Sequence, residues 1–300
     1  MRPTLIVVST GRTGTRFLAH MFAGVGAEAT HELGPRWLRL VSNAYAAGRI
    51  TEGTARSLVI RARPQPASPD GRPWVEASCL LYGVVRPILD AFPQANVVQV
   101  VRDPRTYVPS ALGWGAYRLG GRPLNVVPFR RLAPPQFHPR SLPARVAWAR
   151  QNQFQRLCWA WAAMNRTMRE QGAGSDRVHV VRFEDLFGPE DGERSLGRLC
   201  ALAGLEPQPQ QVAELKRRRL NAGPGAGGWA EWGRAERQWL RVTCTDEAAR
   251  YGYDLGSEEP EIRAAVSKPS RSSPEPVFPS RACVATGSEP APLDGWTGGR

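Results

Sequence analysis

The chain has 300 residues, a formal net charge of +13, a pI near 10.5 and 42% apolar residues. That length and apolar share support a sizeable core in one large domain or two small ones. All but Lys216 and Lys268 of the 40 basic residues are arginines. Part of this reflects GC-rich codon usage; the functional reading is an anionic ligand or acceptor, since the Arg fork matches sulfate, phosphate and carboxylate. Nothing in the balance selects nucleic acid.

Cys79, Cys158, Cys200, Cys244 and Cys283 are scattered and odd in number. No C-x-x-C or Cys/His spacing suggests zinc, so reduced thiols and no metal are expected. The first apolar run, Leu5 to Val8, is too short for the hydrophobic region of a signal peptide. No window approaches the ~18 apolar residues of a membrane span. The expectation is a soluble, cytoplasmic protein with no transmembrane segment.

In chain order, Leu5 to Ser9 reads as a buried parallel strand. Phe17, Leu18, Met21, Phe22 and Val25 then recur at helical spacing, which places "TGRTGTR" between strand and helix. Trp37 to Ile60 is expected to be helical with a break near Gly48 and Thr51 to Gly53. Residues 61–73 read as a loop and "WVEAS" as a short strand. "LLYGVVRPILDAF" reads as a helix that Pro87 breaks or kinks. Val97 to Val101 is the next strand. Residues 113–143 are too rich in Gly, Pro, Arg and aromatics for a simple connection and suggest a lid, a binding loop or disorder.

Ala144 to Gln171 carries the apolar stripe Phe154, Leu157, Trp161, Met164 and Met168 and predicts one long helix. Val178 to Phe183 reads as a strand, "LGRLCALAGL" as a helix stopped by Gly204, and Trp229 to Tyr253 as a last helical segment. Residues 256–300 have scattered Pro, Ser and Gly without a period, and are expected to form a disordered tail. The alternation predicts an α/β fold over residues 1–255: three layers, α/β/α, around a central parallel sheet of the P-loop type. Ligands of such sheets sit beyond the carboxyl ends of the strands.

Two candidate sites fall at strand ends. In the first, Gly11 and Gly14 let the backbone approach an anion at a helix amino end, Thr13 and Thr15 add hydroxyls, and Arg12 and Arg16 add charge. The Walker pattern needs a Lys after its last Gly; Thr15 stands there, which disfavours a nucleotide triphosphatase. In the second, Arg102 comes directly off a strand, Asp103 and Pro104 suit a helix start, and Ser110 lies on that helix. Arg102 and Ser110 can then share one phosphate.

Together, strand–"GRTGTRFL"–helix and strand–"VRDP"–helix resemble the sulfotransferase family. These enzymes use 3′-phosphoadenosine 5′-phosphosulfate (PAPS) as sulfuryl donor. The resemblance implies that Arg12, Thr13, Gly14, Thr15 and Arg16 cradle the 5′-phosphosulfate, and that Arg102 and Ser110 hold the 3′-phosphate. It implies that Arg12 stands where many members carry a Lys on the bridging oxygen. "VVRFEDL" is similar to a family turn in which an aromatic residue contacts adenine; Phe183 stands there without a Tyr hydroxyl. "KRRRLNAG" occupies a region of 3′-phosphate contacts, to which the resemblance assigns one of Arg217, Arg218 or Arg219, with Arg219 taken as the candidate. No metal is implied.

For the base, the resemblance offers two types. "WVEAS" is similar to the carbohydrate-type glutamate motif, with Ala77 in place of Lys, and makes Glu76 the expected base. The cytosolic type uses a His, and "HEL" offers His31 with Glu32 to orient it. His20 reads as structural, and His138 and His179 show no partner. Residues 113–143, with Trp114, Tyr117, Phe129 and Phe137 among arginines, are the candidate acceptor lid for a small-molecule, lipid or saccharide acceptor. Two other readings stay open: a nucleotide-dependent phosphotransferase on a related fold, and a non-catalytic polyanion binder.

Overall fold

The computed structural model describes residues 4–63, 71–117, 132–138, 140–188, 191–217 and 229–256. Five strands form one parallel sheet in the order β2-β3-β1-β4-β5. They are β1 (Leu5–Ser9), β2 (Glu28–His31), β3 (Trp74–Ser78), β4 (Asn96–Val101) and β5 (Val178–Arg182). β1 lies at the centre and every residue in it is buried. This is why it reads as an unbroken apolar run: a parallel strand covered on both faces has no polar side to alternate with.

The two faces carry separate cores. Leu5 and Val7 of β1 pack with α1 (Thr15–Gly24), α10 (Gly192–Leu202) and α11 (Pro209–Arg217). Ile6 and Val8 point the other way, into a larger core that includes α2 (Leu38–Ala46), α3 (Glu52–Arg61), α4 (Val85–Ala91), α5 (Pro104–Gly113), α8 (Gln153–Gly172) and α12 (Arg234–Ala249). The chain is therefore the expected three-layer α/β/α fold.

That arrangement opens a crevice. After β1 the chain leaves to α1 on one face; after β4 it leaves to α5 on the other. Neighbouring strands whose exits diverge leave a gap at their carboxyl ends, the place where open parallel sheets hold ligands.

Several elements differ from the sequence reading. The long helix expected over Ala144 to Gln171 is two, α7 (Leu142–Arg150) and α8, because Asn152 starts a new one. Its side chain accepts from the Gln155 N–H at 2.9 Å, and Gln155 accepts from the Asn152 N–H at 3.0 Å. That reciprocal cap terminates α7 and begins α8 even though apolar residues continue across the break. Pro87 produces no kink, because α4 begins only at Val85 and the first turn needs no intrahelical N–H. β2, a short edge strand with only half-buried and exposed residues, carries too little pattern to be read from sequence.

β5 ends at Arg182, and Phe183 opens the short α9 (Phe183–Phe187). α6 (Pro134–Phe137) is the one helical turn described within the expected lid, whose residues 118–131 and 139 lie outside the described residues. The expected tail, except Gly256, also lies outside them. Among the described residues no helix is long and apolar enough to cross a membrane.

Candidate active site

The crevice is a cavity of about 990 Å³. Its floor is the loop between β1 and α1. Gly11, Arg12 and Gly14 all have left-handed backbones, with φ of 85°, 57° and 76°. A left-handed residue following one of negative φ, as Gly14 follows Thr13, turns successive backbone N–H groups toward one point and makes an anion-binding concavity. Arg12 takes this conformation without being glycine, at a cost of about 1–2 kcal/mol. A Cβ on Gly14 would lie 2.6 Å from the Phe187 ring, so the loop also needs glycine for space.

The loop ends as the N-cap of α1. Gly14 has no side chain to cap the helix, and the first turn of α1 holds no acidic residue. The free N–H groups and partial positive charge of that helix end therefore face the cavity. The Thr13 hydroxyl is buried and has no hydrogen-bond partner among the described residues. Such a group is ordinarily satisfied, but Thr13 is fully buried and does not line the cavity as Gly11, Arg12, Gly14 and Thr15 do.

The second loop closes on the first. Asp103 caps α5 by accepting from the Arg105 N–H at 2.8 Å, and Pro104 occupies the first turn. The Arg102 guanidinium donates to the Arg12 carbonyl at 2.8 Å and to Thr106 Oγ1 at 3.0 Å. Arg12 Nε in turn donates to Ser110 Oγ at 3.1 Å. Arg12 thus reaches from the first loop into the second, and the two candidate phosphate sites are one continuous basic cradle. Burial lowers the pKa of Arg102, but a guanidinium stays charged regardless.

Three residues that sequence reasoning did not assign to the site hold this cradle. Trp161 Nε1 on α8 donates to the Arg102 carbonyl at 2.8 Å. Glu184 accepts from the Asp103 N–H at 3.1 Å and from the Tyr253 hydroxyl at 2.6 Å. Burial, reinforced by Glu184, keeps the Tyr253 phenol protonated as that donor. The "FED" turn was visible in sequence; its reach to Asp103 and Tyr253, across the sheet end, was not.

Phe183 lines the cavity, with the Arg102 guanidinium 4.4 Å from its ring centre and Phe187 packed at 4.5 Å. Lys216 and Arg217 line the same side, and Lys216 Nζ donates to the Gly188 carbonyl at 2.6 Å. Arg219 lies outside the described residues. Arg16 and Thr15 also face the cavity.

The two candidate bases are placed very differently. Glu76 is not brought to the cavity. It lies inside β3, paired with Ile6 in the sheet register, and is fully buried. Arg63, itself buried, grips both of its oxygens at 2.7 and 3.0 Å. Mid-strand side chains point into a layer of the core, whereas a base must stand at the strand end. Burial raises the Glu76 pKa against the opposing pull of Arg63.

His31 ends β2 and does line the cavity, its Nε2 3.2 Å from Thr15 Oγ1. The residue is exposed overall, but its ring sits against the cavity wall. Desolvation there lowers its pKa; Glu32 opposes the shift and Arg16 adds to it. The imidazole is therefore neutral near pH 7, as a proton acceptor must be. Glu32, with a left-handed φ of 53°, accepts from the Cys79 thiol at 2.8 Å.

The structure is thus a three-layer parallel α/β protein with a basic cavity, built from a glycine loop and an arginine loop at the switch between β1 and β4. In fold it is similar to sulfotransferases. The sulfotransferase domain from the Synechococcus PCC 7002 olefin synthase matches with a TM-score of 0.47 and 18% identity, over 85% of this chain and 96% of that one. The sulfotransferase domain from the curacin biosynthetic pathway matches with a TM-score of 0.44 and 14% identity, over 89% and 98%. A sulfotransferase from Alicyclobacillus acidocaldarius matches with a TM-score of 0.44 and 15% identity, over 88% and 99%. No family model and no curated protein matches the chain. These likenesses are distant, and the functional reading rests on the residues of the cavity.

Proposed function

We infer that the chain is a sulfotransferase that takes PAPS as donor and passes its sulfuryl group to a hydroxyl of a small-molecule acceptor. The observation that carries this reading is the joined cradle, in which Arg12 donates to Ser110 while Arg102 donates to the Arg12 carbonyl. Two anion-binding loops fused this closely suit a nucleotide with charge at both ends of its ribose. A lone phosphate loop would suit the phosphates of an ordinary nucleotide equally well.

The donor supplies an activated sulfuryl group on a phosphate leaving group. The α1 amino end and Thr15 would hold that end, and Arg102 with Ser110 the 3′-phosphate. Arg12 and Arg16 supply fixed positive charge to the leaving phosphate oxygen; as arginines they contribute electrostatically and donate no proton. Holding the acceptor oxygen in line with the bond that breaks is the larger part of the task. Phe183 offers an aromatic wall for the adenine ring.

For the base we assign His31 rather than Glu76, because His31 faces the cavity and is held neutral. It would take the acceptor hydroxyl proton on Nε2, and Glu32 beside it would stabilise the imidazolium that results. The test is thermal unfolding with and without 3′,5′-adenosine bisphosphate. At a hundredfold excess over Kd, binding should stabilise the wild type by about 2.7 kcal/mol. ADP should do much less, and Arg102→Ala should reduce the effect to about 0.4–1.4 kcal/mol at the same concentration. Equal stabilisation by ADP would overturn the reading.

A further inference from the structure

The acceptor side of the cavity has its own chemistry. Its wall is apolar and aromatic: Tyr82, Tyr107, Trp114, Tyr117, Leu132 and Met164. Trp114, at the end of α5, is 58% exposed at the mouth. Among the described residues, the guanidinium set into this wall is that of Arg39 on α2. Among the described residues its one hydrogen-bond partner is Cys79 Sγ, at 3.4 Å. Burial pushes the Cys79 thiol up to about 12, so this partner is an uncharged, weak acceptor. The thiol, not the guanidinium, holds Glu32. A partly buried fork of five donors thus faces an apolar cavity with one sulfur to occupy it.

The position of Arg39 relative to the transfer loop adds a distance. Cys79 Sγ lies 3.6 Å from where a Cβ on Gly11 would stand. Arg39 is therefore one thiol away from the loop that would present the sulfuryl group, and within electrostatic reach of Glu32, the residue after His31. Trp114 and Tyr117 lie on the connection after α5 and line the same cavity, with Tyr117 within electrostatic reach of Arg39.

The geometry points to an acceptor that is a hydroxy acid with an apolar or aromatic body, its carboxylate on the Arg39 guanidinium a few bonds from the hydroxyl that reacts. This rests on the sulfotransferase reading for the fate of the hydroxyl, though the carboxylate contact itself does not. Bidentate pairing of Arg with a carboxylate supplies both charge and orientation, and fixes which hydroxyl meets His31. A neutral alcohol of the same shape covers the guanidinium without pairing its donors, leaving Glu32 as the one nearby anion among the described residues, and so binds less well.

The experiment is calorimetric binding of two matched pairs, 3-phenyllactate and its amide, and 3-(4-hydroxyphenyl)propionate and its amide. Binding is measured with 3′,5′-adenosine bisphosphate present, on wild type, Arg39→Lys and Arg39→Gln. In at least one pair the acid should bind at least tenfold more tightly than the amide. That preference should shrink in Arg39→Lys and vanish in Arg39→Gln, while bisphosphate affinity stays within twofold. Equal affinity for acid and amide in both pairs, no binding of either pair, or a preference that survives Arg39→Gln would overturn the inference. Failure of the bisphosphate itself to bind overturns the donor reading instead; an acid preference that still depends on Arg39 would leave the carboxylate site standing.

Discussion

Arg12 and Ser110, separated by 98 positions in the chain, meet at 3.1 Å across the carboxyl ends of β1 and β4. The contact joins a loop that leaves on one face of the sheet to a helix that lies on the other. It makes the two anion sites interdependent, because moving either loop moves a donor of the other.

Ser110→Ala should therefore weaken 3′,5′-adenosine bisphosphate about fivefold, the value of one hydrogen bond near 1 kcal/mol. Arg102→Ala removes a charged donor and the anchor of the Arg12 carbonyl, and should weaken it about 10- to 100-fold. Titration calorimetry of the two variants gives both numbers. A Ser110→Ala effect as large as that of Arg102→Ala would mean the serine does more than donate once.

Gly14→Ala tests the loop itself. The substitution forces a left-handed alanine, costing about 1–2 kcal/mol, and drives its Cβ to 2.6 Å from the Phe187 ring. Chemical denaturation should show at least that loss, with bisphosphate affinity falling with it. Unchanged affinity would mean the loop does not hold the nucleotide.

His31 makes activity pH-dependent with a defined sign. Burial lowers its pKa, so the neutral base persists below the usual imidazole value of about 6.5. The acid limb of kcat/KM should have its midpoint below that value and disappear in His31→Gln along with most of the rate. Stability follows the same sign. The folded state binds fewer protons than the unfolded one, so stability is full above the ordinary value and declines as pH falls from it toward the lowered one. An acid limb that survives His31→Gln would assign the base to another group.

Glu76 should behave as a structural residue. Glu76→Gln strands the buried Arg63 guanidinium and should cost about 3–5 kcal/mol of stability. Bisphosphate affinity of the folded fraction should stay near wild type. A stable, fully folded Glu76→Gln protein with no turnover would restore the carboxylate as the base.

The fold and the two loops were legible in the sequence because both are local. A buried parallel strand, two glycines at a helix start and an Arg–Asp–Pro strand exit declare themselves within a few residues. The positions of Trp161, Glu184 and Tyr253 were not legible, because each acts through a contact formed only when the sheet assembles. Glu76 shows the same limit from the other direction. One carboxylate in "WVEAS" reads alike at a strand end and mid-strand, and its partner Arg63 sits in what reads as a loop. The break between α7 and α8 was hidden by an apolar stripe that runs through it, although Asn152 and Gln155 carried the cap.

The measurement that bears most directly on the central claim is calorimetric titration of wild type and Arg102→Ala with 3′,5′-adenosine bisphosphate, with ADP and 5′-AMP as controls. The account predicts micromolar binding of the bisphosphate, binding of the controls at least tenfold weaker, and loss of that preference in the variant. Equal affinity for ADP, or a preference untouched by Arg102→Ala, would contradict it.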